Sequence, residues 1–418
     1  MTRVHAALRQ TYSPIGGVVT RVQAIDWVRW RWLLVPMAVF LVSRAVVLSG
    51  ACLAEIAMPS QTGAEYWHAI PDNVLLDSLA RWDSAFYLNI ARDGYTLTPG
   101  QMSSVAFFPV YPLLMNLVSP LVGQNLVLAG VLVSHVMLLL ALIFLYRLTE
   151  FEFADAGTAQ RAVFYIAVFP TAIFFSAVYT ESTFLFFSVA TFYFARRHMW
   201  GWAGVMGILT SASRIVGVLV WVVVLYEWLR MHGWTLARIY RPDAWKGLWN
   251  GLRHDIGSLL LISMIPLGLI SYMMFLKSRF NDPIAFWTTQ SAWGRGKRGP
   301  FQTVFQDLNG LLHQNFATGE IWWNALLNIV MLFAIIVLAL LVWRRFGAGF
   351  GIYTLLGVLI PAYSGTGSII RYALVLFPAF MLLANWGRRP LLDRTILVVF
   401  TMFLGIFTAI FVNWIFLA

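Results

Sequence analysis

The chain has 418 residues but one cysteine, Cys52, and only 11% of its residues are charged. A single thiol inside an apolar stretch excludes both a disulfide framework and a cysteine-based metal site, and leaves Cys52 as a small packing residue. Acidic residues are scarcer than basic ones, 18 against 29. The resulting pI near 10 would point to nucleic acid in a soluble chain. Here, however, the basic residues cluster in short tracts beside apolar spans, which is the positive-inside pattern, so nucleic acid is not an expected partner. A cleavable signal peptide is not evident: the N-terminal arm carries Arg3, Arg9, Arg21, Arg29 and Arg31 and runs into a span too long for a signal h-region. What is abundant is apolar. Hydrophobic residues make up 60% of the chain and recur in runs of roughly 20 from end to end. The class this implies is an all-α polytopic membrane protein, a single transmembrane domain over 1–418 with no soluble domain and no internal repeat.

Charge orders the spans. An arm over 1–32 is expected in the cytoplasm, and a first span over 33–57 leaves it. Arg44 lies within that span with no obvious partner in sequence. A first external loop over 58–124 follows, holding Glu65, Asp72, Asp77, Asp83 and Asp93 against Arg81 and Arg92. Within it, 106–122 is cut by Pro109, Pro112 and Pro120 and reads as a surface-lying or broken element. Spans are expected over 125–146, 161–179 and 183–195.

The stretch 201–229 has basic residues on both sides, Arg196 and Arg197 before it and Arg230, Arg238, Arg241, Lys246 and Arg253 after it. Both ends therefore belong in the cytoplasm. Its 29 residues rise about 43 Å as one helix, yet two full crossings need roughly 40 residues. A hairpin of two short helices turning near Ser211 to Arg214 meets both constraints, and puts Arg214 in a cavity at membrane depth. The pattern repeats between Arg344, Arg345 and Arg388, Arg389, with Gly365, Thr366, Gly367, Ser368 and Arg371 at the turn. Spans over 257–276 and 321–343 lie between the hairpins and enclose a second external loop over 277–320. A last span covers 395–416, for about ten membrane elements.

The most polar interval carries Arg81-Trp82-Asp83 and runs on to Tyr95. Trp82, Phe86 and Ile90 recur at helical spacing, which predicts a short helix lying on the membrane, with Asp83 and Tyr87 on a neighbouring face and Gly94 as terminator. Asp83 has two readings that can both hold: an N-cap of that helix, and a carboxylate that the helix N-terminus would keep ionised as a general base. Asp93 beside Arg92 reads as a solvated surface pair. Glu181 either caps the helix that follows it or reaches a cavity. Arg214 and Arg371 would each cost roughly 2.5 to 3.5 kcal/mol near the bilayer centre, so they need anionic company. That company is either a bound phosphate, which suits a guanidinium fork, or Glu181 and backbone carbonyls. His135 has no second histidine at metal spacing and reads as a packing residue. In the second loop Asp282, Trp287, Gln290, Trp293, Arg295 and Lys297 mix aromatic and polar groups as sugar and headgroup sites do.

Arg81-Trp82-Asp83, Tyr87, Ile90-Ala91, Gly94-Tyr95, then Ala106-Phe107-Phe108-Pro109 with Tyr111-Pro112, and Tyr179-Thr180-Glu181-Ser182 together resemble the PIG-V-type mannosyltransferases, whose eukaryotic members add the second mannose to glycosylphosphatidylinositol anchors. Strong likeness covers 79–112. Weaker likeness runs through the first hairpin, DPIAFWTTQSAWGR and IIRYALVLFPAF. The resemblance implies a GT-C-type glycosyltransferase fold and an inverting transfer from a polyprenyl-phosphate sugar, without a metal cofactor. It makes Asp83 the base that deprotonates an acceptor hydroxyl. It gives Arg214 and Arg371 the donor phosphate, and leaves Arg81, Trp82, Tyr87, Glu181, Gln290, Trp293 and Arg295 as substrate-site candidates. Arg214 is followed by Ile215, Val216 and Gly217, whereas the eukaryotic pattern has an asparagine between arginine and glycine. The expected acceptor is therefore a lipid or glycan other than an anchor precursor. Short external loops point to a bacterial plasma-membrane homologue with its site on the outer face. The competing expectation is a transporter or flippase of a lipid-linked saccharide, motivated by arginines and broken helices at membrane depth.

Overall fold

The computed structural model describes residues 27–58, 66–294, 300–313 and 320–415, and every regular element among them is helical. Five helices are long and apolar enough to cross a membrane by themselves: Val28–Ala57, Leu126–Phe153, Ile256–Phe280, Trp323–Phe346 and Pro390–Val412. Shorter apolar helices fill the space between them. The polytopic class read from composition is thus the observed one.

Helix α1 (Trp27–Ala57) leads into the first loop, whose helices are α2 (Val74–Ser78), α3 (Ser84–Asp93) and α4 (Val110–Val118). The proline-cut stretch is broken as expected, into α4 and two short 3-10 turns at Ser104–Ala106 and Ser119–Val122. Gly94 ends α3 at φ +85°, a left-handed conformation that favours glycine. One expectation for α3 fails. The helix does not lie free on the membrane: Ser84, Tyr87 and Ile90 are buried, and α3 packs on α4 and on α5 (Leu126–Phe153). Trp82 is not on the helix at all.

The span expected over 161–179 is only half helical. Helix α6 (Ala156–Ala167) stops before Pro170, which lacks an N–H and disfavours helix in the residue before it. Residues 168–180 contain no α-helix, only a 3-10 turn at Ala172–Phe175, yet all are buried, so carbonyls left without a helical bond need partners inside the protein. Arg44 supplies them. Its guanidinium donates to the carbonyl oxygens of Ala167 (2.8 Å) and Ala172 (2.9 Å) and to Ser176 Oγ (2.8 Å). Ser134 Oγ donates to Ala177 O (2.8 Å). The span-one arginine without a partner in sequence is thus the cap of a broken helix 123 residues away.

Helix α7 (Glu181–Arg196) is followed by α8 (Trp200–Ser211) and α9 (Leu219–Met231). These form a hairpin whose turn is at 212–214, and Gly217 lies so close to the Thr210 carbonyl that no side chain fits between them. Next come α10 (Pro242–His254), α11 (Ile256–Ser263) and α12 (Leu267–Phe280), then α13 (Ala285–Thr288) and α14 (Pro300–His313) in the second loop. Helix α15 (Glu320–Phe346) precedes α16 (Ala348–Ser364), α17 (Ile369–Ala373) and α18 (Phe377–Trp386), and α19 (Pro390–Val412) closes the bundle against α1.

Ion pairs at one end of the bundle place both hairpins. Arg196, ending α7, bonds Glu152 on α5 (2.8 Å), Glu227 near the end of α9 (3.0 Å) and the carbonyl of Phe346 at the end of α15 (2.9 Å). Arg388, just past α18, bonds Asp155 at the start of α6 (3.2 Å). The outer ends of the two hairpins therefore share this end of the bundle with the termini of α5 and α7, and both hairpin turns point to the other end.

Candidate active site

Asp83 stands at the N-cap position of α3 but does not cap it. Its backbone is already helical (φ −59°, ψ −13°) and its carboxylate accepts no bond from the first turn; capping side chains fold back from an extended backbone. The residue before it explains this. Trp82 has φ +54°, a left-handed conformation that costs a bulky side chain on the order of 1 to 3 kcal/mol and persists only where its surroundings enforce it. They do so here: the Trp82 ring lies 5.4 Å from that of Trp414, beyond α19, and Arg81 is locked in place below. The backbone N–H of Asp83 donates to the hydroxyl of Tyr179 (3.1 Å), which donates in turn to Arg81 O (3.2 Å).

With its capping role blocked, the Asp83 carboxylate meets Arg371 from the tip of the second hairpin, Oδ2 to Nη1 at 2.9 Å. Arg371 Nε lies 3.5 Å from Glu181 Oε1, the same oxygen that Arg214 Nη1 reaches at 3.0 Å from the tip of the first hairpin. Four charges separated by up to 288 residues thus form one chain, Asp83, Arg371, Glu181, Arg214. Glu181 opens α7, so it both starts that helix and enters the cluster. Aromatic rings sheathe the guanidiniums: Tyr372 lies 5.1 Å from Arg214, and Phe174 and Tyr179 lie 5.5 and 5.6 Å from Arg371. Such contacts favour a cation without neutralising it.

The chain lines an open cavity of about 1140 Å³, mouth included. Asp83, Tyr87, Glu181, Arg214, Gln290, Trp293 and Arg371 all reach it, as do Tyr179, Ser368 and Tyr372. One wall is Ala106-Phe107-Phe108. Phe107 stacks on Phe86 (4.6 Å) and meets Trp293 (6.2 Å), and its carbonyl accepts from Tyr95 (3.0 Å) and Tyr272 (3.2 Å). The aromatic motif therefore fastens the first loop to α12 and the second loop. Tyr87 is kept a neutral phenol: burial, then the nearby Glu181 carboxylate, pushes its pKa well up.

Two expected site residues lie elsewhere. Arg81 is wholly buried, bonded to Glu55 (2.9 Å), to Asp77 (2.6 Å) and to Val412 O (3.1 Å). Trp82 packs on Trp414 and does not line the cavity. Both belong to the scaffold behind Asp83. Arg295 and Lys297 lie outside the described residues. Asp282 holds the turn before α13, accepting from the Ile284 N–H (3.0 Å) and the Thr288 hydroxyl (3.0 Å), and Asp93 makes the expected surface pair with Arg92 (2.9 Å). His135 Nδ1 bonds Val131 O (2.7 Å), as a packing residue does. Tyr179 and Tyr372 also line the cavity; each stands within two residues of a charged member, which is the signal that marks them in the sequence.

Among the described residues, the metal-ligating side chains that approach one another are Glu55, His68 and Asp77, with ligand atoms within 4.8 Å. The Arg81 guanidinium bonds both carboxylates, so the place a cation needs already holds one. His68, the Ile70 N–H and Arg81 outweigh burial and hold the Asp77 carboxyl below its ordinary range.

GPI mannosyltransferase 2 of Drosophila pseudoobscura pseudoobscura is 30% identical over 172 residues, covering 35% of this chain and 37% of that protein. The chain thus spans little more than a third of that relative's length. Among solved structures, the Archaeoglobus fulgidus oligosaccharyltransferase in complex with zinc and sulfate is similar with a TM-score of 0.48 at 12% identity, over 90% of this chain and 52% of that one. The archaeal oligosaccharyltransferase AglB from the same organism, in complex with an inhibitory peptide and a dolichol-phosphate, gives 0.45 at 12% identity, over 93% and 56%. The profile of the mannosyltransferase (PIG-V) family matches residues 28–236, half of the chain, with Asp83, Glu181 and Arg214 inside the match. The chain belongs to the mannosyltransferase (PIG-V) family.

Proposed function

We propose that this protein moves mannose from a polyprenyl-phosphate donor to a hydroxyl of a lipid- or membrane-associated acceptor, through a GT-C-type inverting reaction on the outer face of a bacterial plasma membrane. The observation that carries the reading is that Asp83 and two arginines from separate hairpins line one cavity. A base and a phosphate site within one aromatic-walled cleft is what sugar transfer from a phosphodiester needs.

Asp83 accepts the proton of the acceptor hydroxyl as its oxygen attacks the anomeric carbon. The bond from that carbon to the phosphate oxygen breaks, and the polyprenyl phosphate leaves as a dianion. Arg371 and Arg214 stabilise the charge that develops on it. Arg371 pairs with Asp83 at 2.9 Å; a donor phosphate that draws Arg371 away leaves the carboxylate free to take the proton. General-base assistance supplies roughly 10²- to 10⁴-fold, and the arginines add to it. Gln290 and Trp293, which line the same cavity, contact the sugar in this reading. The hydrophobic residues after Arg214, where the eukaryotic pattern has asparagine, set the acceptor apart from an anchor precursor.

Purified protein reconstituted in vesicles with polyprenyl-phosphate mannose and a total membrane lipid extract should release polyprenyl phosphate and form a mannosylated product, with EDTA present. No donor turnover, combined with scrambling of the lipid-linked sugar that Asp83→Asn leaves unchanged, would establish a transporter instead.

A further inference from the structure

Helix α10 lies at the end of the bundle away from the cavity and takes no part in the site. Its Ala244, Gly247 and Gly251, at i, i+3 and i+7, face the protein: Gly247 abuts the His232 carbonyl and Gly251 the His232 ring, so closely that neither position has room for a side chain. That contact fixes how the helix is rotated. The next face carries Trp245 and Trp249, at i and i+4, which are 50% and 56% exposed, and Tyr240 just ahead of the helix is 96% exposed. Beyond them lie Lys246 and Arg253, also exposed, with Arg241 at the helix start. The three faces run in order: protein, aromatic, basic.

Several further observations say what covers the aromatic face. Asp255 alone separates α10 from the membrane-spanning stretch that begins at Ile256, so covalent continuity puts the helix at the membrane boundary. Asp255 is itself pinned, accepting from Trp228 (2.9 Å) and Ser258 (2.5 Å), and the Trp245 indole N–H donates to Ile239 O (2.7 Å). The Asp255 end of α10 is therefore tied to α9, and its start to the turn that precedes it. Arg238 is occupied by Asp243 (2.8 Å) and Arg230 by Glu227 (2.9 Å), whereas Arg241 and Lys246 make no ion pair among the described residues. Arg253 lies 5.0 Å over the Trp249 ring. Aromatic rings at headgroup depth beside uncommitted cations match the chemistry of an anionic leaflet.

We propose that α10 is an interfacial helix that docks on acidic phospholipid in the leaflet opposite the catalytic cavity, with Trp245 and Trp249 inserted at the headgroup level and Arg241, Lys246 and Arg253 recruiting anionic headgroups. The full-length protein on a Cys52→Ala background, spin-labelled through Asp243→Cys, Trp245→Cys, Lys246→Cys or Trp249→Cys, tests the docking in nanodiscs of phosphatidylcholine with or without phosphatidylglycerol. Labels at 245 and 249 should collide with oxygen, and labels at 243 and 246 with a water-soluble relaxation agent. Water access at all four positions, or shielding of 245 and 249 from both agents by a protein partner, would overturn the proposal.

The charge part is read from spin-labelled lipid competition. Wild type should prefer phosphatidylglycerol over phosphatidylcholine, and the Arg241→Gln, Lys246→Gln, Arg253→Gln variant should lose up to roughly fivefold of that preference per residue. An unchanged preference in a variant that keeps its unfolding midpoint would remove the basic face from the account.

Discussion

Two ion-pair clusters meet at the tripeptide Arg81-Trp82-Asp83, and they are built differently. Around Arg81 every guanidinium nitrogen is engaged: Nε by Val412 O, Nη1 by Asp77 and Nη2 by both oxygens of Glu55. Its side chain is 0% exposed. Around Asp83 the carboxylate has one guanidinium partner, its side chain is 27% exposed, and the arginines opposite it face a cavity. A closed cluster can only hold structure, because nothing can enter without breaking a bond that nothing replaces. An open one can exchange a partner for a ligand. Two residues apart in sequence, the same charge pairing thus serves as a lock in one case and as the proposed site in the other.

That contrast can be broken from either side. Arg81→Ala leaves Asp77 and Glu55 facing each other without their shared cation, and should cost about 3 to 5 kcal/mol of stability, read as a large fall in the thermal unfolding midpoint. Arg371→Lys keeps the charge, but a single ammonium cannot span Asp83 and Glu181 as the fork does. Turnover should drop about 10²- to 10³-fold while the unfolding midpoint moves little. A midpoint fall as large as that of Arg81→Ala would erase the distinction. Glu181→Gln sharpens it further. Removing a carboxylate that faces the phosphate leaves the two arginines less neutralised, so polyprenyl phosphate should inhibit about tenfold more strongly, on the order of 1.4 kcal/mol. Weaker inhibition would mean that Glu181 only supports the fold.

Local patterns made much of this architecture legible. Basic residues flanking 201–229 on both sides required a hairpin, and the Arg196–Glu227 pair at 3.0 Å is what that requirement looks like in space. Gly94 and the prolines of 106–122 announced their breaks by backbone chemistry alone. What stayed hidden depends on contacts between distant segments. Arg44 caps carbonyls that are left unpaired only because α6 stops early. Arg81 sits in the same motif as Asp83, and nothing local says that Glu55 and Val412 O will close around it. Asp83 itself reads in sequence as an ordinary N-cap. Only the left-handed Trp82, held by a ring 332 positions further on, turns the carboxylate away from its own helix.

A catalytic role for Asp83, proposed here with the fold held by its neighbours, separates turnover from stability. It is tested most directly by measuring mannose transfer from polyprenyl-phosphate mannose by Asp83→Asn beside wild type, in the same vesicles, with the unfolding midpoint of each. Asp83→Asn should lose roughly 10²- to 10⁴-fold in turnover with the midpoint essentially unchanged. Turnover within a few-fold of wild type, in a protein equally stable, would contradict it.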